Sequence, residues 1–170
     1  GTFVQEIVAL SRDHDRSRFD CGVPELNAFL KATARQHIEK GISRTFVLTD
    51  QERPAVISGY FTLTLCEVRV DHLPVEYAKK YPQHGLPAVR LARLAVSKKH
   101  QGRGFGSLLL TEAIHRTVLI AEQAGLIGLF VDAKNKQAQS FYEYFGFIPL
   151  SNQTLQLFLP FATLEKLNKK

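Results

Sequence analysis

The 170-residue chain holds only two cysteines, Cys21 and Cys66. Two thiols cannot build a disulfide scaffold, and neither sits in a CxxC or a Cys/His pattern with zinc spacing. Both read as reduced, half-buried thiols, with no partner base placed to make either one a nucleophile. Long apolar runs are missing too: none approaches the roughly 18 to 20 residues that cross a bilayer. No charged-then-apolar segment opens the chain, so neither membrane insertion nor export is expected, and the protein is expected in the cytoplasm. Charges of one sign do not cluster into runs of five or six, which excludes a disordered nucleic-acid-binding tail. The six histidines share no metal spacing, so no metal site is expected.

What is present describes an ordinary folded chain. With 45% hydrophobic and 22% charged residues, it suits one domain spanning residues 1–170. The 22 Lys and Arg exceed the 16 Asp and Glu, leaving a net charge of +6. That excess, dispersed over a folded surface, favours anionic partners such as nucleic acid, phosphorylated cofactors or an acidic protein.

Periodicity supplies the element order. Thr2 to Leu10 reads as an opening strand. Pro24 starts a helix that Gly41 stops, with Leu26, Leu30, Ala34 and Ile38 recurring every fourth position. Arg44 to Asp50 and Ala55 to Val70 read as a hairpin joined by QERP. A Pro- and charge-rich connection follows, with one short helix near Val75 to Lys80, and then a strand from Pro87 to Lys98. A helix from about Gly104 to Ala124 carries Leu110, Ile114 and Val118 on one face and ends at Gly125. Gly125 to Ala133 is apolar almost without alternation, as a strand buried on both faces is. Asn135 to Phe147 reads as a short helix closed by Gly146, Leu155 to Phe161 as a last strand, and ATLEKLNKK as a frayed basic tail. Hairpins plus one strand, helix, strand crossover make this a mixed α/β (α+β) chain, a single sheet flanked by helices.

One stretch asks for a ligand. LAVSKKHQGRGFGSLLLTEA places Gly102, Gly104 and Gly106 at alternate positions where a strand gives way to a helix. Glycine surrenders the most backbone entropy, so three at a helix mouth need a reason. The first amides of a helix lack intrahelical partners and carry the positive end of the dipole, so a turn there can cup a phosphate. Arg103, Lys98 and Lys99 add charge. A P-loop is excluded because no GK pair occupies the required place. A Rossmann fingerprint would need glycine at 107, where Ser107 stands. A turn built only for helix and strand packing stays open on the residues alone.

Read as Gln or Arg, two residues, Gly, one residue, Gly or Ala, the run Gln101 to Gly106 resembles the pyrophosphate loop of the GNAT superfamily of acetyl-CoA-dependent N-acetyltransferases. RLAV before it, the helix after it, LFVDA and AQSFYEYFGF appear in the superfamily's order. FDCGVPELNAFL, RLARLAV, VDAKNKQAQSFYEYFGF and LQLFLPFATL extend the resemblance to the toxin acetyltransferases of bacterial toxin and antitoxin pairs. The resemblance implies a GNAT fold with a mixed sheet of six to seven strands. It further implies acetyl-CoA as donor, aminoacyl-tRNA as acceptor with translation blocked, a small antitoxin protein as partner, and a homodimer.

Carried over position by position, the resemblance implies cofactor contacts at Leu94, Ala95 and Val96, at Gln101, Gly102, Arg103, Gly104, Phe105, Gly106 and Ser107, and at Asn135 and Phe141. It implies Tyr142 as the acid. A phenol of pKa about 10 stays protonated at neutral pH and can give its proton to a departing thiolate. Tyr144 is its nearer rival, and packing on a short helix is the bland reading of both. Glu67 stands where some members carry a basic carboxylate, although a solvated strand edge explains it as well. The α-amino group, at pKa about 7.7 to 8 against 10.4 for lysine, needs little help from a base. For tRNA phosphates the candidates are Lys31 and Arg35 on the first helix, and Arg90 and Arg93 in mid-strand, where a cation is expensive without an anion to meet. Lys40, Lys79 and Lys80 read as solvated charges. An ordinary small-molecule or protein amine acetyltransferase and a non-catalytic acyl-CoA-binding regulator are the rival functions.

Overall fold

β-Branched and aromatic segments alternate with helix-period segments, and a computed structural model, describing residues 4–150 and 153–168, shows what they become. In chain order these are β1 (Gln5–Ala9), α1 (Pro24–Ala28), a π-helical turn (Phe29–Thr33), α2 (Ala34–Glu39), β2 (Arg44–Asp50) and β3 (Gly59–Val68). There follow α3 (Val75–Ala78), β4 (Leu86–Val96), α4 (Phe105–Gln123), β5 (Gly128–Asp132), α5 (Lys136–Tyr144), β6 (Ile148–Leu150), β7 (Gln153–Pro160) and α6 (Phe161–Asn168). The strands form one seven-stranded sheet in the order β1-β2-β3-β4-β5-β7-β6. β4 and β5 run parallel, with α4 as their crossover, while β1–β2, β2–β3, β5–β7 and β6–β7 are antiparallel. The mixed sheet with flanking helices is the expected architecture.

The chain divides into two compact units, Gly1–Thr64 with Ala92–Ala113 and Leu65–Leu91 with Ile114–Lys170. In the first, Leu30, Ala34, Val47 and Tyr60 are fully buried in a core shared with Leu10, Phe19, Cys21, Phe29 and Ala95. The expected first helix is broken by its π turn. Four residues advance an α-helix by one turn plus ~40°, so apolar residues at strict intervals of four drift off one face. A wider turn in the middle takes part of that drift back, and Leu30 and Ala34 both reach the core.

In the second unit, Leu129, Phe130 and Val131 are all buried, as the uninterrupted apolar run requires. Phe130 stacks on Phe158 with centroids 5.1 Å apart, and Tyr77 meets the same ring edge-on at 5.1 Å. α4 has Leu109, Leu110 and Ala113 buried in its first-unit part and Ile114 and Val118 buried in its second-unit part.

Several sequence expectations need correction. β3 begins at Gly59, not Ala55, and Val70 belongs to a 3-10 turn, Val70–His72. Lys98 likewise leaves the strand for a 3-10 turn, Lys98–His100. β6 is a strand that its three residues did not announce. The supposed frayed tail is helix α6, held by Leu164, which is fully buried; Leu167, three residues on, is half-buried. Cys21 is buried and only Cys66 is half-buried; both are free thiols. Thr2 and Phe3 of the opening strand, and Lys169 and Lys170 of the tail, lie outside the described residues.

Candidate active site

The glycine turn is built within the first unit. β4 delivers Arg93, Leu94, Ala95 and Val96, the chain makes the short 3-10 turn at Lys98–His100, and α4 begins at Phe105. Gly102 and Gly104 have φ of +80° and +81°, the left-handed region that disfavours every side chain. A Cβ at either would meet nothing within 4 Å. These glycines are therefore required by backbone conformation, and the space beside them is open for a ligand. Leu108 donates to the Gly104 carbonyl at 3.2 Å as α4 starts. The amides of Phe105, Gly106 and Ser107 thus occupy first-turn positions, where helix geometry supplies no acceptor and the dipole is positive. This is a fitting cradle for a diphosphate. The Phe105 side chain turns inward and stacks on His100 at 5.6 Å, so only its backbone serves the turn. Arg103 is exposed.

Gln101 anchors this turn. Its Nε2 donates to the Val96 carbonyl at 3.0 Å and to the Cys21 carbonyl at 3.2 Å. The Lys98 amide donates to the Asp20 carbonyl at 2.9 Å, and Lys98 Nζ lies 3.6 Å from the Asp20 carboxylate. The Asp20–Gly22 segment is in turn clasped by Asn27, whose Oδ1 accepts from the Cys21 amide at 2.9 Å and whose Nδ2 donates to Asp20 at 3.0 Å. In sequence the stretch FDCGVPELN offers only a likeness; in the fold its polar residues form the underside of the glycine turn. Asp20 and the Cys21 backbone do not stand out in the sequence because Lys98 and Gln101, their partners, lie some eighty residues on; Asn27 serves the turn only by holding those two. Of the β4 residues, Ala95 is buried in the first core while Leu94 and Val96 are half-buried.

The second unit holds α5 and its tyrosine. Asn135 caps the helix by accepting the Ala138 amide on Oδ1 at 2.8 Å, so that oxygen is committed to the helix. At the other end Gly146, at φ +98°, closes a Schellman motif: its amide donates to the Glu143 carbonyl at 2.9 Å, and the Phe147 amide to the Tyr142 carbonyl at 3.2 Å. The hydrophobic contact that accompanies such a cap is here the Tyr142 and Phe147 ring pair, 5.4 Å between centroids. Tyr142 is thereby fixed at backbone and ring. Phe141 flanks it at 5.3 Å. Tyr142 is 7% exposed and Tyr144 87% exposed, so the two candidates differ sharply in burial. Burial pushes the Tyr142 hydroxyl up to about 12, so it is protonated at neutral pH.

The mid-strand cations find internal company. Arg90 donates to Asp132 at 2.7 Å across the parallel β4–β5 pair, and Arg93 lies 3.6 Å from the centroid of the Phe29 ring. The anion demanded for Arg90 is thus Asp132, which sequence separation concealed. Burial pushes the neighbouring Cys66 thiol up, with Arg90 opposing. Arg35 pairs with Glu39 at 3.3 Å, Lys31 is exposed on the π turn, and Lys80 sits over the Tyr77 ring at 5.3 Å. Glu67 is exposed, its carboxylate lying where a side chain at Gly85 would stand. Among the described residues no group of His, Cys, Asp or Glu is gathered to hold a metal ion, and no helix is long and apolar enough to cross a membrane.

Residues 41–149 match the family model of the acetyltransferase (GNAT) domain. The chain belongs to the GNAT acetyltransferase family. Among the relatives of this acetyltransferase is a probable toxin TacT of Sinorhizobium fredii, 30% identical over 91% of this chain and 89% of that one. Another is a tRNA-acetylating toxin of Mycobacterium tuberculosis, 34% identical over 88% of each. The acetyltransferase also resembles AtaT solved in complex with acetyl-methionyl-tRNAfMet, at TM-score 0.87 and 33% identity over 98% of this chain and 99% of that one. It resembles as well a tyrosine-to-phenylalanine mutant of the AtaT toxin bound to the C-terminus of the antitoxin AtaR and acetyl-CoA, at TM-score 0.82 and 30% identity over 98% and 99%.

Proposed function

We propose that this acetyltransferase moves the acetyl group of acetyl-CoA onto the α-amino group of an aminoacyl-tRNA, blocking translation, and that a small antitoxin protein restrains it. The observation that carries this reading is the nearly full-length likeness to AtaT bound to acetyl-methionyl-tRNAfMet. The 170 residues act as one acetyltransferase domain. They do so in the cytoplasm, where charged tRNA is found, and as a pair of chains, the habit of the toxin acetyltransferases they resemble.

Each residue then has a task. The first-turn amides of Phe105, Gly106 and Ser107, with Gly102 and Gly104 holding the turn and Arg103 beside it, grip the diphosphate. The backbone of Leu94, Ala95 and Val96 receives the pantetheine arm, and Asn135 and Phe141 are assigned to acetyl-CoA as well. Acetyl-CoA, when bound, supplies an acyl carbon and a thiolate leaving group. Tyr142 keeps its proton on Oη at neutral pH because burial disfavours the phenolate, and it delivers that proton to the departing sulfur. No strong base is needed, since an α-amino group of pKa about 7.7 to 8 is roughly a tenth unprotonated at pH 7, far more than a lysine of pKa about 10.4. Glu67 is given no part. Lys31 and Arg93 meet tRNA phosphates, while Arg35 and Arg90, already paired with Glu39 and Asp132, contribute mainly through the surrounding field.

The test is incubation with labelled acetyl-CoA, charged tRNA, a polyamine and a peptide in parallel. Label recovered as N-acetyl amino acid after ester hydrolysis of the tRNA is the expected outcome. Label confined to the polyamine or peptide would reject the acceptor.

A further inference from the structure

A second charged feature lies in the first unit and shares Lys31 with the residues assigned above. His14, Asp15, Arg16, Ser17 and Lys31 line a hollow of about 410 Å³. The segment that contributes most of it, SRDHDRSR, carries three arginines against two aspartates. Asp15 is turned to local use: its Oδ1 accepts from the Ser17 amide at 3.0 Å and the Ser17 hydroxyl at 2.6 Å, and its other oxygen lies 3.9 Å from Arg18. Oδ1 is therefore committed to the loop, and Arg18 at the edge of ion-pair range offsets part of the carboxylate's charge.

The donors are held differently. Arg16 is half-buried and gives one N–H to the Lys31 carbonyl at 3.0 Å. A guanidinium carries five N–H donors in a planar fork, so this single bond fixes its orientation and leaves the rest of the fork for an acceptor. Orientation fixed in advance lowers the entropy cost of gripping an oxyanion. The carbonyl it uses belongs to the π turn Phe29–Thr33. Such wide turns are over-represented at functional sites, and here one serves to tie Arg16 and Lys31 together. His14 accepts the Ser11 amide on Nδ1 at 3.0 Å, which places the proton of its neutral ring on Nε2 as a further donor. Burial lowers His14 from its usual range, so it acts as a neutral donor near pH 7.

We infer that the His14, Arg16 and Lys31 hollow, none of whose lining residues belongs to the coenzyme's glycine turn, is a clamp for a phosphodiester of the RNA acceptor. The inference deepens the proposed function and rests on it for the identity of the RNA. A fork, an ammonium and a neutral N–H around one depression match the oxygens of a backbone phosphate. They read no base, so the clamp fixes register and contributes no sequence preference.

The experiment measures binding of total tRNA to the full chain by fluorescence anisotropy across a salt series, for the parent and for Arg16→Gln, Lys31→Gln and Arg16→Lys. Lys31→Gln keeps the backbone bond that Arg16 uses, so it stays informative if Arg16→Gln loosens the loop. Each neutralising change is expected to weaken tRNA binding and to lower the slope of log K against log salt by about 0.7 to 0.9. Arg16→Lys should keep the slope and lose affinity, because the fork is gone and the charge is not. Acetyl-CoA affinity, measured by calorimetry, is expected to be unchanged. An unaltered slope in both neutralised variants would overturn the clamp, as would a loss of acetyl-CoA affinity, which would assign the hollow to the coenzyme. A parent that binds tRNA with this dependence but labels only polyamine or peptide would leave the clamp standing and remove the proposed acceptor.

Discussion

Gln101 and Val96 are joined by a side-chain amide to backbone carbonyl bond of 3.0 Å, and the same Gln101 nitrogen reaches the Cys21 carbonyl at 3.2 Å. One side chain thus ties the end of β4 to the turn that opens α4. Hydrogen bonds of this kind contribute about 0.5 to 1.5 kcal/mol each. Gln101→Ala should therefore raise the KM for acetyl-CoA by roughly tenfold, the factor that 1.4 kcal/mol represents, with kcat less affected. Gln101→Glu should be worse, because a carboxylate would face two carbonyl oxygens. Steady-state kinetics at saturating acceptor, alongside a thermal melt to exclude global loosening, checks both.

The Arg90 and Asp132 pair invites a different measurement. Both side chains are partly exposed, so solvent screening discounts the attraction even at 2.7 Å. Asp132→Asn should cost no more than about 1 kcal/mol of stability by urea unfolding and should release the Arg90 guanidinium. If Arg90 then turns to tRNA, the variant binds tRNA more tightly than the parent at low salt. If the pair only supports the sheet, tRNA affinity stays where it was.

How far the sequence carried this picture depends on how local the physics was. The glycine turn, the apolar β5 and the end of α5 were legible because each is written in neighbouring residues: φ-demanding glycines, a run without polar relief, a Gly that closes a helical segment. The partners of Arg90 and Arg93 were not, since Asp132 is forty-two positions from Arg90 and Phe29 lies in a different element from Arg93. Asn27 was hidden for another reason: its partners Cys21 and Asp20 are near in sequence, but it reads as one more polar residue on a helix. The π turn escaped because strict fourth-residue spacing looks like a good α-helical stripe until its angular drift is added up. β6 and α6 escaped because three residues and one deeply buried leucine give pattern-reading too little to hold.

Gly146 offers a test of how Tyr142 is held. At φ +98° the residue is in left-handed conformation, and a Cβ there would make only ordinary contacts, 3.5 Å to Thr163 and 3.6 Å to Leu159. The cost of Gly146→Ala is therefore conformational, about 1 to 2 kcal/mol. That strain falls on the cap whose 6→1 bond accepts at the Tyr142 carbonyl. The variant should lose stability in a melt and lose kcat beyond what its unfolded fraction explains, whereas Gly146→Asn, better tolerated in this region, should recover part of both.

Tyr142 itself carries the sharpest prediction. Tyr142→Phe removes one hydroxyl from a ring packed between Phe141 and Phe147, so the fold should be retained and acetyl-CoA affinity should stay close to that of the parent. If Oη donates the proton to the leaving sulfur, kcat should fall by roughly 10²- to 10⁴-fold. The pH profile discriminates further. Because burial pushes this hydroxyl up to about 12, the acid form persists through the accessible range. The parent's rate should rise with pH through the titration of the substrate amine near 8 and show no descending tyrosine limb before about pH 10. Stability follows the same shift with its own sign. The unfolded tyrosine ionises near 10 while the folded one holds its proton to about 12, so this contribution is fully present below pH 10 and is lost as pH rises toward 12. In urea titrations the parent should weaken over that window and Tyr142→Phe should weaken less. A descending limb near pH 7 to 8 that vanishes in the phenylalanine variant would instead require a phenol of low pKa, and the acid role built on burial would fail.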